Sequence, residues 1–413
     1  MFRGNLIYKS VQQQGTYSEW LNEILPLMKY SKILNTVICS SFASILLKPI
    51  NNTKPFFVHL WSAVSGNGKT SASYVAASVW GNPELYKISF KATPLGMDSC
   101  AGIFNELPLI VDELQLLNNE NNEKKFNPYL LTSGESKTCS NIYFGVQETY
   151  FWNNVIITSG ETPLTSIGGG AGEHNRIIEI EIEEKNEIFE NKQTISNALK
   201  FINTNYGHAG KKFVEWLYSK QENMSIAENY VNDFEKKLTE LGITGKQSRS
   251  GAFILTANTI LINYSFFNDN ETDIFDYSAL LLTPEWLAEY LKTEEQIDIT
   301  TRAYDIICDW IALNNNKFIH RYIGENDNTG IKKESYNVNG DLYGEYDLTD
   351  PNNIVVYINK LIFDKICKEN KFDSRSILSG LKRKNLIKYS ENRLTISKRI
   401  DNIPTRVVCL YVK

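Results

Sequence analysis

The stretch FFVHLWSAVSGNGKT (Phe56–Thr70) runs an apolar hexapeptide straight into a glycine-rich loop, and Ser71–Val79 behind it suits a helix. Strand, loop and helix in that order are the setting in which a P-loop cradles phosphate. Gly66 and Gly68 free backbone N–H groups to close on an anion at a helix N-terminus, with Ser65, Asn67 and Ser71 completing the candidate cradle. Lys69 would reach the β- and γ-phosphate oxygens, and Thr70 would turn its hydroxyl to Mg2+. The first consensus glycine is here Ala63, a small residue that fits where φ is negative. The expected ligand is ATP with Mg2+.

Further along, LPLIVDE (Leu107–Glu113) is an apolar strand ending in paired carboxylates. At a sensible distance from a P-loop this reads as a Walker B element, with Asp112 on the metal's hydration shell and Glu113 polarising the attacking water. A third apolar run, Asn154–Ile157, leads into two hydroxyls, Thr158 and Ser159, that could orient that water. Thr158 and Ser159 both stay open, Ser159 being the candidate carried forward. RIIEIEI (Arg176–Ile182) supplies a fourth strand. Continuous apolar runs closed by a polar residue suit parallel strands buried on both faces, so the class is α/β with a parallel sheet. Helical spacing precedes it in Tyr17–Leu47 and follows it from Asn197 to about Ser265.

Arginine usage adds an independent signal. The chain has 33 Lys and only 10 Arg, and residues 1–301 hold three of these: Arg3, Arg176 and Arg249. Arg176 follows the loop GGGAG (Gly168–Gly172) and opens a strand, a suitable place for a finger that senses γ-phosphate; an ordinary surface salt bridge is the alternative. Arg249 is read equally as a second sensor or as a structural residue. His174 reads most simply as a loop histidine, and His59, His208 and His320 show no metal-ligand spacing; the expected metal contacts are Thr70 and Asp112, from the P-loop and Walker B readings.

The 413 residues are 42% apolar, which excludes a disordered chain and predicts two or three domains. Six scattered cysteines with no CxxC pair fit a reducing compartment. MFRGNLIYKS lacks the apolar stretch of a signal peptide, and Ile33–Leu47 is too short and polar to cross a bilayer. A cytoplasmic protein with no membrane partner is expected. The net charge of −5 conceals an asymmetry: the last 54 residues carry +9, the rest −14. In Ile354–Val412 the pattern reads as a strand, a helix from Asn359 to Glu369, and a second helix, Ser374–Lys384, capped by Asp373 or Ser374. Arg393–Ile396 and Val407–Val412 would then pair as a wing, completing a winged helix-turn-helix. Arg375, Lys382, Arg383 and Lys384 on the second helix, with Lys398, Arg399 and Arg406 on the wing, would set cations on DNA phosphates. A solvated face or a protein-binding winged helix is the plainer alternative.

The order of motifs resembles that of the AAA+ helicase-like ATPases of phages, plasmids and staphylococcal-cassette-type mobile elements, often described as MCM-like. The resemblance rests on SGNGKTSASYVAASVWGNPE (Ser65–Glu84), LPLIVDELQ (Leu107–Gln115), LLTSGESK (Leu130–Lys137), WNNVIITSGE (Trp152–Glu161), GGGAGEHNRIIEI (Gly168–Ile180) and NYGHAGKKF (Asn205–Phe213). It spans roughly Phe56–Asn263, with a weaker echo in the C-terminal winged helix. It implies a homo-oligomeric ring, a hexamer, with ATP between subunits and Arg176 acting in trans. It also implies that the segment between Walker B and the third strand enters the pore and grips DNA. Lys137 matches the lysine of that segment; where a second basic residue often follows, this chain has Cys139. Tyr143, Phe144 and Tyr150 could stack on bases or simply pack. Larger members carry a further N-terminal domain, with no counterpart expected here.

The expected organisation is an N-terminal helical lead-in (1–50), a P-loop AAA+ ATPase core with a parallel sheet (51–190), a helical lid (191–268), a linker or helical connection (269–345) and a C-terminal winged-helix domain (346–413). The expected function is an ATP-dependent DNA helicase or translocase in the replication of a mobile element. Its DNA would be single-stranded or forked, or origin duplex. The alternatives are a AAA+ ATPase that remodels a protein and a DNA-binding initiator module with weak or no turnover.

Overall fold

The computed structural model describes residues 9–89, 93–112, 128–137, 149–165, 170–264, 277–323, 331–335, 341–350, 353–390 and 393–412. They fall into two compact units, one comprising the described residues up to Thr165 and from Gly172 to Glu294, the other chiefly Glu295 onward. The expectations for Glu113, Cys139, Tyr143 and Phe144 lie outside the described residues.

The first unit opens with helices α1 (Tyr17–Tyr30) and α2 (Lys32–Ala43), so the helical stretch is two helices. Ser31 ends one and caps the other, its hydroxyl accepting Leu34 N. From Ile33 to Ala43 every side chain of α2 is buried, which explains a run with no polar face. Next come β1 (Phe56–Trp61), α3 (Lys69–Ser78), β2 (Ile88–Ser89), α4 (Pro94–Ile103), β3 (Leu109–Asp112), β4 (Val155–Gly160) and β5 (Ile177–Glu181). All five strands are parallel, in the order β2-β3-β4-β1-β5. Here β1, read first from the sequence, lies between β4 and β5, and β4 separates it from β3. That arrangement brings the ends of β1, β3 and β4 together, as the P-loop and Walker B readings require. Four further helices, α5 (Lys192–Ile202), α6 (His208–Ser219), α7 (Gln221–Glu240) and α8 (Gly245–Asn263), then the short α9 (Pro284–Ala288), complete the unit. Its core runs continuously from Trp20 through the sheet to Leu291.

The second unit consists of α10 (Ile299–Leu313), β6 (Phe318–Ile323), β7 (Ile331–Ser335), β8 (Gly344–Asp347), β9 (Ile354–Asn359), α11 (Lys360–Glu369), α12 (Ser374–Arg383), β10 (Ile387–Lys388), β11 (Ile396–Ile400) and β12 (Ile403–Val412). The sheet order is β10-β12-β9-β8-β6-β7, with β11 paired to β12. Asp373 caps α12 by accepting Ser376 N at 2.7 Å. Helix α12 packs tightly on α10: a Cβ on Gly380 would lie 2.1 Å from Thr300 Oγ1. The first wing strand lies later than the expected Arg393–Ile396, and the second begins earlier, at Ile403 and not Val407. Asp401 and Asn402, at φ 47° and 65°, form a two-residue turn between β11 and β12, the geometry that suits a tight hairpin. An α/β core on a five-stranded parallel sheet, followed by a C-terminal unit in which α11 and α12 precede a β11–β12 hairpin, is thus the architecture of the described residues.

Candidate nucleotide site and nucleic-acid surface

The loop between β1 and α3 is built by glycine geometry. Gly66 and Gly68 adopt φ 82° and 83°, the left-handed region that other residues enter at a cost. Gly68 is also sterically confined, since a Cβ there would sit 2.6 Å from Phe189 Cδ2; around Gly66 nothing lies within 4 Å. Residues Ala63 to Gly66 are exposed, and Asn67 and Gly68 are half-buried.

Lys69, the first residue of α3, is 8% exposed. Its ammonium donates to Val64 O (2.8 Å), Asn67 Oδ1 (2.9 Å) and Ser62 O (3.3 Å), oxygens of its own loop. Burial pushes its pKa down and the nearby Glu161 carboxylate partly restores it. Glu161 was not singled out by the sequence reading; its place just beyond β4 sets it near the lysine.

Beside the loop, three side chains from three elements meet. Asp112, at the end of β3, accepts the Ser159 hydroxyl at 2.6 Å and the Thr70 hydroxyl at 3.1 Å on the same Oδ1, and the two hydroxyls are 3.4 Å apart. Strand alternation decides between the two hydroxyls of β4. Ser159 points to Asp112, whereas Thr158 points to the opposite face and is 2.8 Å from His59 Nδ1. His59 is fully buried, and burial depresses its pKa, leaving the ring neutral; its other nitrogen donates to Thr162 O at 3.0 Å. A hydroxyl–carboxylate–hydroxyl cluster next to a lysine at a helix N-terminus fits a nucleotide with Mg2+. Backbone N–H groups and Lys69 suit the phosphates, and Thr70 and Asp112 supply hard oxygen ligands. Among the described residues no cluster of three His, Cys, Asp or Glu side chains offers a separate metal site.

Arg176 stands just before β5, its NH1 donating to both the carbonyl and the hydroxyl of Thr132 at 3.1 Å. Near it lies Lys246 at the start of α8, whose pKa is lowered by burial and then by the Arg176 charge. Lys246 was missed by the sequence reading, because 33 lysines give no single one salience. Arg249, three residues along α8, instead faces α7, pairing with Glu235 at 2.6 Å and lying 5.4 Å from the Phe253 ring.

The segments on either side of residues 138–148 run antiparallel as a stem. Ser136 N donates to Tyr150 O (2.9 Å), Tyr150 N to Ser136 Oγ (3.0 Å), and Trp152 N to Gly134 O (3.0 Å). Lys137 is exposed at the tip of this stem, near Asp98, whose carboxyl accepts the Lys137 backbone N–H. Burial raises the Asp98 pKa and Lys137 offsets part of that rise. Tyr150 packs against Gly102 of α4, where a Cβ would be 2.8 Å from its own.

In the second unit the candidate DNA-contacting cations divide into two sets. Arg375 and Arg383 are exposed on α12, and Arg399 and Arg406 on the wing. Lys382 lies 4.5 Å above the Tyr389 ring. Lys384 pairs with Asp298 at 2.8 Å and donates to Thr301 Oγ1 at 2.9 Å, tying the end of α12 to the start of α10. Lys398 turns inward to the buried Glu345 at 3.1 Å, above the Tyr357 ring.

Known families match stretches at both ends of the chain. Residues 2–149 match a family described as Domain of unknown function (DUF927), and residues 298–413 match the Cch helix turn helix domain. Among solved structures the fold is similar to one described as SCCmec type IV Cch, active helicase. The TM-score is 0.70 at 20% identity, covering 98% of this chain and 72% of that one. No curated protein matches. The resemblance to staphylococcal-cassette-type helicases stands, in the fold and in the C-terminal domain. None of the described helices is long and apolar enough to cross a membrane.

Proposed function

We propose that this chain is an ATP-dependent DNA helicase or translocase of a mobile genetic element, hydrolysing ATP between the subunits of a homo-oligomeric ring, a hexamer, in the cytoplasm. The observation that carries the reading is the convergence of Thr70, Asp112 and Ser159 beside a loop whose lysine is already desolvated. The helicase description belongs to the structural neighbour, and the shared fold supports its extension to this chain.

The residues divide the work. The N–H groups around Gly66 and Gly68 would bind phosphate, with Lys69 exchanging the Ser62, Val64 and Asn67 oxygens for phosphate oxygens. Mg2+ held by Thr70 and Asp112 supplies charge neutralisation on the phosphates when bound. Ser159, hydrogen-bonded to Asp112 at 2.6 Å, would orient that carboxylate and help hold an attacking water. Glu113 would polarise that water. Arg176, with Lys246 beside it, would present positive charge to the nucleotide of the adjacent subunit, Arg249 staying with its own helix pair. DNA contact falls to Lys137 at the stem tip and to the exposed Arg375 and Arg383, with Lys382, of the winged helix.

Strand displacement on a forked duplex tests the reading. Wild type should separate the strands with ATP and not with a non-hydrolysable analogue, and Lys69→Ala should be inert. ATP turnover without strand displacement or movement along DNA would favour the protein-remodelling alternative.

A further inference from the structure

The connection from β4 to β5 carries Ser159 at one end and Arg176 at the other, and two side chains from distant parts of the chain fasten it. Gln247, wholly buried on α8, donates its amide N–H groups to His174 O (2.7 Å) and Ile177 O (2.9 Å). Those two carbonyls bracket Arg176. Lys292, beyond α9, spends three donors within the same small volume: on Glu179 Oε2 at 2.7 Å, on Thr165 Oγ1 at 3.1 Å and on His174 Nδ1 at 3.3 Å.

Glu179 is the hub of the arrangement. Its carboxylate also accepts Leu164 N (2.7 Å), Thr165 N (2.8 Å) and the Thr165 hydroxyl (2.7 Å). Burial alone would raise this carboxyl; the Lys292 charge and these donors outweigh it and hold it below the usual carboxylate range. Lys292 and Gln247 are themselves linked, because Thr293 forms a β-bridge with Ile243, just before α8. They therefore grip both ends of the connection from one body.

A buried ion pair is poor evidence for stability, since its desolvation cost offsets much of its attraction. What distinguishes this one is its placement, within three residues of Arg176 and on both sides of it. We propose that Lys292 and Gln247 are positioning residues for Arg176, holding the backbone on which that guanidinium is carried so that it meets a neighbouring subunit's nucleotide. The inference rests on the reading of Arg176 as a finger acting in trans.

The test uses full-length Lys292→Met and Gln247→Met, alone and mixed with an excess of Lys69→Ala subunits, with Arg176→Ala as the reference. Each variant alone should lose about ten- to a hundred-fold in turnover, the cost of displacing a reacting group by about 1 Å. KM for ATP should stay within about two-fold, because the variant's own phosphate loop is intact. Lys69→Ala subunits have dead loops and sound fingers, so adding them should restore turnover to both variants. Adding Arg176→Ala subunits should not. Gln247→Met leaves every charge in place and gives the reading if Lys292→Met fails to fold. Unchanged turnover in the two variants overturns the proposal. So does a loss that Lys69→Ala subunits fail to repair while repairing Arg176→Ala. If Arg176→Ala itself is not repaired, the trans finger is refuted and the positioning role falls with it.

Discussion

The two left-handed glycines of the loop between β1 and α3 make a matched pair for a quantitative test. Gly66 and Gly68 have nearly the same φ, 82° and 83°, so replacing either with alanine carries a similar backbone penalty, about 1–2 kcal/mol. Their surroundings differ. The new methyl at position 66 meets nothing within 4 Å, whereas at position 68 it would lie 2.6 and 2.9 Å from two ring atoms of Phe189, a residue only 4% exposed. Overpacking of that kind costs about 1–3 kcal/mol more. Gly68→Ala should therefore melt several degrees below Gly66→Ala without nucleotide, at roughly 2–4 °C per kcal/mol for a domain of this size. The contact responsible is named, so a double-mutant cycle can isolate it. In a Phe189→Ala background the gap should close, because the remaining neighbour, Ile195 Cδ1, lies at an ordinary 3.4 Å. Equal melting of the two single variants would refute the packing argument, as would a gap that survives Phe189→Ala.

Other consequences concern the two faces of β4 and the winged helix. Ser159→Ala removes the 2.6 Å bond to Asp112 and should lower turnover about a hundred-fold with little change in nucleotide affinity. Thr158→Val removes the hydroxyl facing His59 and should cost about 1–2 kcal/mol of stability while largely sparing turnover; steady-state kinetics beside thermal unfolding separates the two. In salt titrations of duplex binding, Arg375→Ala with Arg383→Ala should flatten the slope of log affinity against log salt by up to about 1.8, near 0.9 per lost phosphate contact. Lys384→Ala, whose ammonium is paired with Asp298, should leave the slope unchanged and cost about 0–1 kcal/mol of stability.

The parallel core was legible in the sequence because its strands are buried on both faces and therefore read as unbroken apolar runs. FFVHLW coincides with β1 from Phe56 to Trp61. The glycine-rich loop after β1 was legible for a different reason, since left-handed φ values favour glycine at 66 and 68. β2 is only two residues long and left no pattern. The 269–345 stretch was read as a linker or helical connection; Ile299–Leu313 within it forms a helix whose Ala303, Ile307 and Ile311 enter the core of the second unit. Lys398 and Arg399 were read on the wing but beyond a first strand ending at Ile396, whereas β11 begins at Ile396 and runs through both to the turn at Asp401 and Asn402. Side-chain partnerships across long separations were the least accessible. Lys384 lies beside Arg383 in the same basic run, but Asp298 neutralises it from the start of another helix. Lys292 and Gln247 carry no motif at all, and only the folded chain brings them to Glu179 and to the carbonyls around Arg176.

Steady-state ATP hydrolysis with and without single-stranded DNA, for the wild type and for Lys69→Ala, tests the central claim most directly. The account predicts turnover that rises when DNA is added and disappears in the variant. Turnover indifferent to DNA, or persisting without Lys69, would contradict it.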